Sequence, residues 1–212
     1  MIFIICATGP SVDNMDWGEL KEYKKLGINQ FFRKGIVTDY YYIYDKMCLY
    51  RENPNFTSVL NEWPQTTFYI DQRIDLPTQF RHNTNIVRTK SRVMLKEEIN
   101  NFDHWARALD QPFYMNRSTV TGAINIAHIL GATTIYIAGL DGKGGYFYPH
   151  KKNMPVFKKR LHDSLVHYPK FGTLNKSLGC IIRWLKKNGV DVYNMNPKSF
   201  YVERDLMEYK EP

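Results

Sequence analysis

Residues 2–7, Ile-Phe-Ile-Ile-Cys-Ala, are continuously apolar and run straight into Thr8-Gly9-Pro10-Ser11. An apolar run without polar alternation is what a strand covered on both faces requires, as in a parallel sheet. Gly-Pro then ends it abruptly. Asp16-Trp17-Gly18-Glu19 has the spelling of a capping box, which predicts a short helix over 16–25 that stops at Gly27. Strands are predicted over 28–32, over the Tyr-rich stretch 38–45, and over 66–70 behind the breaker Trp63-Pro64. Residues 71–116 mix charge, scattered aromatics and two prolines, and an irregular insertion or lid is expected there.

The pattern is clearest further on. Val120, Ile124, Ala127 and Leu130 share a helical face that Ala123 and Ile126 widen, Gly131 can end that helix, and 134–138 reads as the next buried strand. Gly139-Leu140-Asp141-Gly142 follows as a second strand-end loop. An amphipathic helix is predicted over 174–187 with Asn188-Gly189 as its stop, and a last short strand over 191–194. This alternation predicts one three-layer α/β/α, Rossmann-like domain over 1–212 with a mainly parallel sheet. A basic loop region over 142–172 belongs to it.

Composition narrows the partners rather than the fold. The apolar fraction of 43% excludes a disordered chain, and the formal charge of +8 favours an anionic partner such as a nucleotide, a phosphorylated metabolite, nucleic acid or anionic lipid. Three widely spaced cysteines (Cys6, Cys48 and Cys180) form no Cys-x-x-Cys or zinc spacing, and the first apolar run is too short for a signal-peptide core. A reduced, cytoplasmic compartment is therefore expected. Peripheral membrane association through the basic surface and a homo-oligomer both stay open.

Candidate chemistry gathers at the strand ends, where open α/β sheets bind ligands. Gly9 allows close backbone approach, Thr8 and Ser11 offer hydroxyls beside Pro10, and the amides that follow could meet a phosphate at a helix start. Neither Gly-Lys-Ser/Thr nor Gly-x-Gly-x-x-Gly is present, so the common ATPase and dehydrogenase signatures are excluded. Asn29 can donate and accept, which suits a base or ribose as well as a simple turn. Asp45 and Asp141 fall at predicted strand ends, Asp39 reads as a strand-start cap, and Thr121 either touches a ligand or caps its helix. No Asp-x-Asp metal spelling occurs. His167 lies in a basic section before the last long helix and could take a proton near neutral pH. His150 is a second candidate, and His128, inside a helix, reads as structural. Residues 143–170 hold seven Lys or Arg against one Asp, with Tyr146, Phe147, Tyr148, Phe157 and Tyr168 interleaved. That mixture suits a polyanionic partner or a solvated face equally.

In order and spacing, Ala7-Thr8-Gly9-Pro10-Ser11, Asn29-Gln30-Phe31-Phe32, Thr121-Gly122, Gly139-Leu140-Asp141 and Tyr193-Asn194-Met195-Asn196-Pro197-Lys198-Ser199 resemble the bacterial sialyltransferase family that includes the Campylobacter lipooligosaccharide enzymes. They are also similar to uncharacterised and motility-associated proteins sharing that Rossmann-like domain. The resemblance runs discontinuously over about residues 1–200. It implies a cytidine-monophosphate-sugar donor, chemistry without a metal cofactor, and transfer to a glycan hydroxyl, while the basic segment 143–170 leaves a lipid-linked sugar or DNA open as the acceptor.

By the same resemblance, Thr8, Gly9, Pro10, Ser11, Asn29, Thr121, Gly122 and Asp141 would line the nucleotide, and Tyr146 and Tyr148 would reach its phosphate. Thr8 and Asp45 stand where the family has Asn. A gapless count back from Pro197-Lys198-Ser199 puts the family's catalytic His at Gly172, so a short loop shift is needed to make His167 the base, with Asp45 at sugar or acceptor. The expected function is a nucleotide-sugar-dependent glycosyltransferase. An ATP-dependent pyrophosphokinase or other phosphotransferase, and a non-enzymatic nucleic-acid-binding protein, are the alternatives.

Overall fold

A computed structural model describes residues 1–44, 53–93, 102–103, 105–115, 118–142 and 169–212. Its centre is the strand that the opening apolar run predicts, β1 (Ile2–Cys6), in which Phe3, Ile4, Ile5 and Cys6 are fully buried. Successive side chains point to opposite faces. Phe3 and Ile5 therefore join one apolar cluster with Leu26, Ile124 and Ile137, whereas Ile4 and Cys6 join another with Phe31, Tyr41 and Phe68. Burial pushes the Cys6 thiol well above the ordinary range, which removes it as a nucleophile.

Around β1 the described strands form one parallel sheet of eight. These are β2 (Lys24–Ile28), β3 (Tyr40–Ile43), β4 (Thr67–Asp71), β5 (Ile86–Thr89), β8 (Thr134–Ala138), β9 (Asp191–Asn194) and β10 (Glu208–Tyr209), in the order β10-β9-β8-β1-β2-β3-β4-β5. Ile5 pairs with Leu26 on one side and Ile137 on the other. The sheet confirms the three-layer architecture. Helix α1 (Asn53–Glu62) packs Phe56, Val59 and Leu60 on one face, and α2 (Thr119–Ile129) and α3 (Pro169–Lys187) cover the other. A short α4 (Phe200–Glu203) and edge strand β10 follow, neither of them expected. Within 71–116 the described residues contribute β5 to the sheet and a separate parallel pair, β6 (Ser91–Val93) with β7 (Phe113–Met115).

Helix α2 forms as its sequence predicts. Ser118 caps it, its Oγ accepting the Val120 N–H at 3.3 Å, and every residue from Val120 to Ala127 is buried. Gly131 closes the turn at φ +85°. Helix α3 begins five residues before its expected start, and Leu178, Ile181 and Leu185 form its inner stripe.

Two expectations fail between β1 and β3. Residues 16–25 are not helical: the Asp16 carboxylate caps only a turn, accepting the Gly18 N–H at 2.8 Å, and β2 starts at Lys24. Residues 28–32 are not a strand, because β2 ends at Ile28 and Asn29–Lys34 winds into a 3₁₀ helix closed by Gly35 at φ +73°. Phe31 and Phe32 are still buried, but from that turn. The physical reason is tertiary pairing. Lys-Lys-Leu-Gly-Ile has poor intrinsic strand character, yet it fills the slot between β1 and β3. Lys25 is buried along its stem and places its ammonium on the Lys21 and Tyr23 carbonyls, each at 3.3 Å. Lys24 pairs with Asp39 at 2.7 Å, and Asp39 also accepts the Lys25 N–H. Although burial opposes it, this pairing holds the Asp39 carboxyl below its usual range.

At Gly27 the ring of Tyr41 lies where a side chain would go, since a Cβ there would sit 2.5 Å from Tyr41 Cε2. Gly27→Ala should therefore destabilise the protein by about 1–3 kcal/mol, the usual range for overpacking, read as a lower urea midpoint with unchanged slope. A second measurement concerns His128, whose Nδ1 accepts the Trp105 indole N–H at 3.1 Å. Burial, then the charge of Arg107, lower its pKa from 6.5. Its neutral form contributes stability above about pH 6.5, and that stability is lost as pH falls through the unfolded value towards the lower folded one. Urea midpoints of wild type should thus drop more between pH 7.5 and 5.5 than those of His128→Gln, which keeps an acceptor but does not titrate. Equal drops would contradict the assignment.

Candidate functional site

The chain leaves β1 towards β2–β5 on one side and later fills β8–β10 on the other, so the order reverses between β1 and β8. Loops leaving the carboxyl ends of two such strands part from each other and open a crevice. Here they are the two polar strand ends of the sequence, 7–11 and 139–142.

These loops are fastened together. The Ala7 N–H donates to the Ala138 carbonyl and the Gly9 N–H to the Gly139 carbonyl, both at 2.8 Å. Asp141, nearly buried, accepts the Ser11 N–H at 2.9 Å, the Ser11 hydroxyl at 2.6 Å and the Asn196 amide at 2.8 Å. A Cβ on Gly9 would lie 2.5 Å from both Asp141 Oδ2 and Gly139 O. The close approach that Gly9 permits is thus between two loops of the protein itself. Thr8 and Pro10 sit partly exposed beside this bridge, with Pro10 opening a 3₁₀ turn.

Asn29 stands at the carboxyl end of β2 with φ +50°, a left-handed backbone that asparagine tolerates better than most residues. Tyr41, fully buried, holds it there: its hydroxyl donates to the Asn29 carbonyl at 2.8 Å and accepts the Phe32 N–H at 2.7 Å. The Asn29 amide donates to Thr119 Oγ1 at 3.0 Å, which joins the β2 end to the first turn of α2. Thr121 and Gly122 lie in the same first turn. Thr121 is fully buried and donates to the Ser118 carbonyl at 2.7 Å, and Gly122 is buried in the helix.

Thr8, Gly9, Pro10, Ser11 and Asp141 therefore converge on the switch point, and Asn29 meets α2 nearby. Thr119 and Asn196 were not singled out from the sequence. The Ser118 cap, which fixes where α2 starts, could have pointed to Thr119; Asn196, which reaches Asp141 from after β9, lies in the Tyr193-to-Ser199 stretch of the resemblance, where nothing local gives it a role. The rim is polar, and the dipole of α2 favours negative charge at its start. Asp45, Tyr146, Tyr148, His150 and His167 lie outside the described residues, as does most of the basic stretch 143–170.

Two cavities lie elsewhere. One of about 640 Å³ opens between α3, β9 and β10, lined by Arg183, Lys186, Tyr193 and Glu208. Another of about 300 Å³ lies beside β5, around Leu76, Arg81 and Arg88. Neither includes a residue of the switch-point rim. Among the described residues no three His, Cys, Asp or Glu side chains gather as a metal would need, and no helix among them is long and apolar enough to cross a membrane.

With its sheet order and switch point, the chain has a three-layer α/β/α, Rossmann-like fold. It is similar over its whole length to the sialyltransferase CstII of Campylobacter jejuni in complex with a trisaccharide acceptor and CMP, covering 86% of that chain at 15% identity and a TM-score of 0.57. The monofunctional α-2,3-sialyltransferase Cst-I of Campylobacter jejuni gives 18% identity and a TM-score of 0.55, with 99% of this chain and 80% of that one covered. The MAf glycosyltransferase of Magnetospirillum magneticum AMB-1 gives 16% identity and 0.53, over 91% of this chain and 31% of that one. No family model matches the sequence, and no curated protein matches it. At these identities the likeness is one of fold.

The left-handed backbone at Asn29 yields a direct test. Both Asn29→Gly and Asn29→Ala lose the bond to Thr119 and should fall below wild type, and Asn29→Ala should lie about 1 kcal/mol below Asn29→Gly, because only alanine resists positive φ. Equal urea midpoints for the two variants would show that the strained turn is not kept in solution.

Proposed function

We propose that this chain is a nucleotide-sugar-dependent glycosyltransferase, moving a sugar onto a hydroxyl of a glycan, a lipid-linked sugar or nucleic acid. The observation that carries the reading is the polar rim at the β1/β8 switch point, in a fold that the chain shares with two sialyltransferases and a further glycosyltransferase. The nucleotide lies across the 8–11 loop, Asn29 and the start of α2, where hydroxyls, an amide and a helix N-terminus face one edge. Asp141 acts on it through Ser11 and Asn196, by fixing how far apart the two loops stand.

Transfer forms a bond from the acceptor oxygen to the anomeric carbon and breaks the bond from that carbon to the phosphate oxygen. The departing nucleotide takes the electron pair. A base removes the acceptor proton, and we assign this task to His167, with Asp45 contacting sugar or acceptor and Tyr146 and Tyr148 donating to the departing phosphate. Positioning and electrostatic stabilisation of that phosphate supply the rest, and no metal is invoked.

Thermal-shift measurements with CMP, UDP, GDP, ADP and ATP test the ligand class. One nucleotide should stabilise the protein by about 2.7 kcal/mol at a hundredfold excess over its Kd. No shift with any of them at millimolar concentration would end the reading. Once a donor is found, His167→Ala should lower turnover by about 10²–10⁴-fold, the range typical of general-base loss, and leave nucleotide affinity intact. Turnover near that of wild type would remove His167 from the mechanism.

A further inference from the structure

Further along the same carboxyl edge, β4 ends in Asp71, whose side chain is 0% exposed. A buried carboxylate is costly unless its oxygens are satisfied. Its Oδ1 is satisfied, by the Arg73 Nε–H at 2.6 Å and the Arg73 backbone N–H at 3.0 Å. Its Oδ2 has no hydrogen-bond partner among the described residues, and neither does the equally buried Thr89 Oγ1. These two residues are direct register partners between β4 and β5. The strand end is firmly held: Arg88 donates to the carbonyls of Asp71, Gln72 and Ile74, at 3.2, 2.9 and 2.6 Å. A frayed terminus therefore does not explain the unpaired atoms.

An acceptor without a donor beside a hydroxyl without a partner calls for a group that gives one hydrogen bond and takes another. A ligand hydroxyl does both, as does a water. A ligand carboxylate or phosphate would bring negative charge against Asp71 Oδ2 and no proton to share. The surroundings suit a sugar as well. The Arg73 guanidinium lies over the Tyr44 ring, 4.5 Å from its centroid, and the Tyr42 hydroxyl meets Ser91 Oγ at 3.0 Å on the same edge. Adjacent strands are about 4.8 Å apart, which puts the end of β4 about 14 Å from that of β1, within reach of a sugar carried by a nucleotide bound at the switch point. Both unpaired atoms are closed to solvent, so a hydroxyl enters only if a neighbour moves. The half-exposed Arg73 side chain, joined to Asp71, has room to do so.

We propose that Asp71 and Thr89 form a hydroxyl-reading subsite that selects a donor with a neutral sugar and turns away a sugar bearing a carboxylate. This rests on the glycosyltransferase reading above and names the substrate class of that site. Calorimetric titrations should compare UDP-glucose, UDP-N-acetylglucosamine, GDP-mannose and CMP-sialic acid, each with its parent nucleotide. At least one neutral-sugar nucleotide should bind about tenfold more tightly than its parent, as one hydrogen bond to a charged group allows. CMP-sialic acid should bind no more tightly than CMP. The tenfold gain should vanish in Asp71→Asn and in Thr89→Val, with parent nucleotide affinity unchanged. If Asp71→Asn fails to fold, Thr89→Val, which keeps shape and removes only the hydroxyl, carries the test.

A gain for CMP-sialic acid overturns the proposal. So does a neutral-sugar gain that survives in the folded variants, which would leave the pair holding a buried water only. Nucleotide binding without any sugar gain removes the subsite and keeps the nucleotide reading, whereas no nucleotide binding removes both.

Discussion

The structure depends on one constraint: β1 must pair on both edges and pack on both faces at once. Its four buried residues leave no room for a polar side chain, and its register with β2 and β8 fixes where both neighbours end. Because those strands run parallel, each must return through a crossover, and the crossovers are the helices and loops that cover the faces. The carboxyl ends of all the strands consequently share one edge. The site is where this arrangement leaves backbone and side-chain polar groups facing outward.

That edge is ordered by buried polar contacts. Asp141 binds two loops and the chain after β9; Tyr41 sets the backbone of Asn29 from beneath; Asn29 reaches Thr119 at the first turn of α2. Each of these groups is worth little in water and considerably more where solvent is excluded, and leaving one unsatisfied is costly. Glycine has its place in the same scheme. Gly9 and Gly139 lack side chains because the loops they belong to touch each other, and a Cβ on Gly139 would lie 2.7 Å from Val12 Cγ1. Rigid loops held from below are what a ligand crevice needs if binding is not to be spent on ordering them.

A shared fold leaves the chemistry open, since one α/β architecture hosts many reactions. At 15–18% identity to its structural neighbours, what this chain offers a ligand follows from its own side chains on that edge. They include Thr8 after β1, Asp71 at the end of β4 with Arg73 just beyond it, and Thr89 at the end of β5. These set which hydrogen bonds are offered above the sheet.

Some of this was determined by the sequence alone. The strands at 2–6 and 134–138, the helix that follows Ser118 with its Gly131 stop, and the end of α3 at Asn188-Gly189 follow from apolar runs and stop signals within a few residues of each other, whereas the cap of α2 is Ser118 and not Thr121. The strand-end loops at 7–11 and 139–142 were legible as candidate sites for the same reason. The tertiary structure decided the rest. Whether Lys-Lys-Leu-Gly-Ile becomes a strand depends on a slot between β1 and β3, and the helix predicted over 16–25 lost to that pairing. Asp141 meets Ser11 across 130 positions and Asn196 across 55, Asn29 meets Thr119 across 90, and Asp71 stands unsatisfied beside Thr89 because two strands lie in one register. Local pattern sets which segments seek burial; only their packing decides which polar groups are left facing one another.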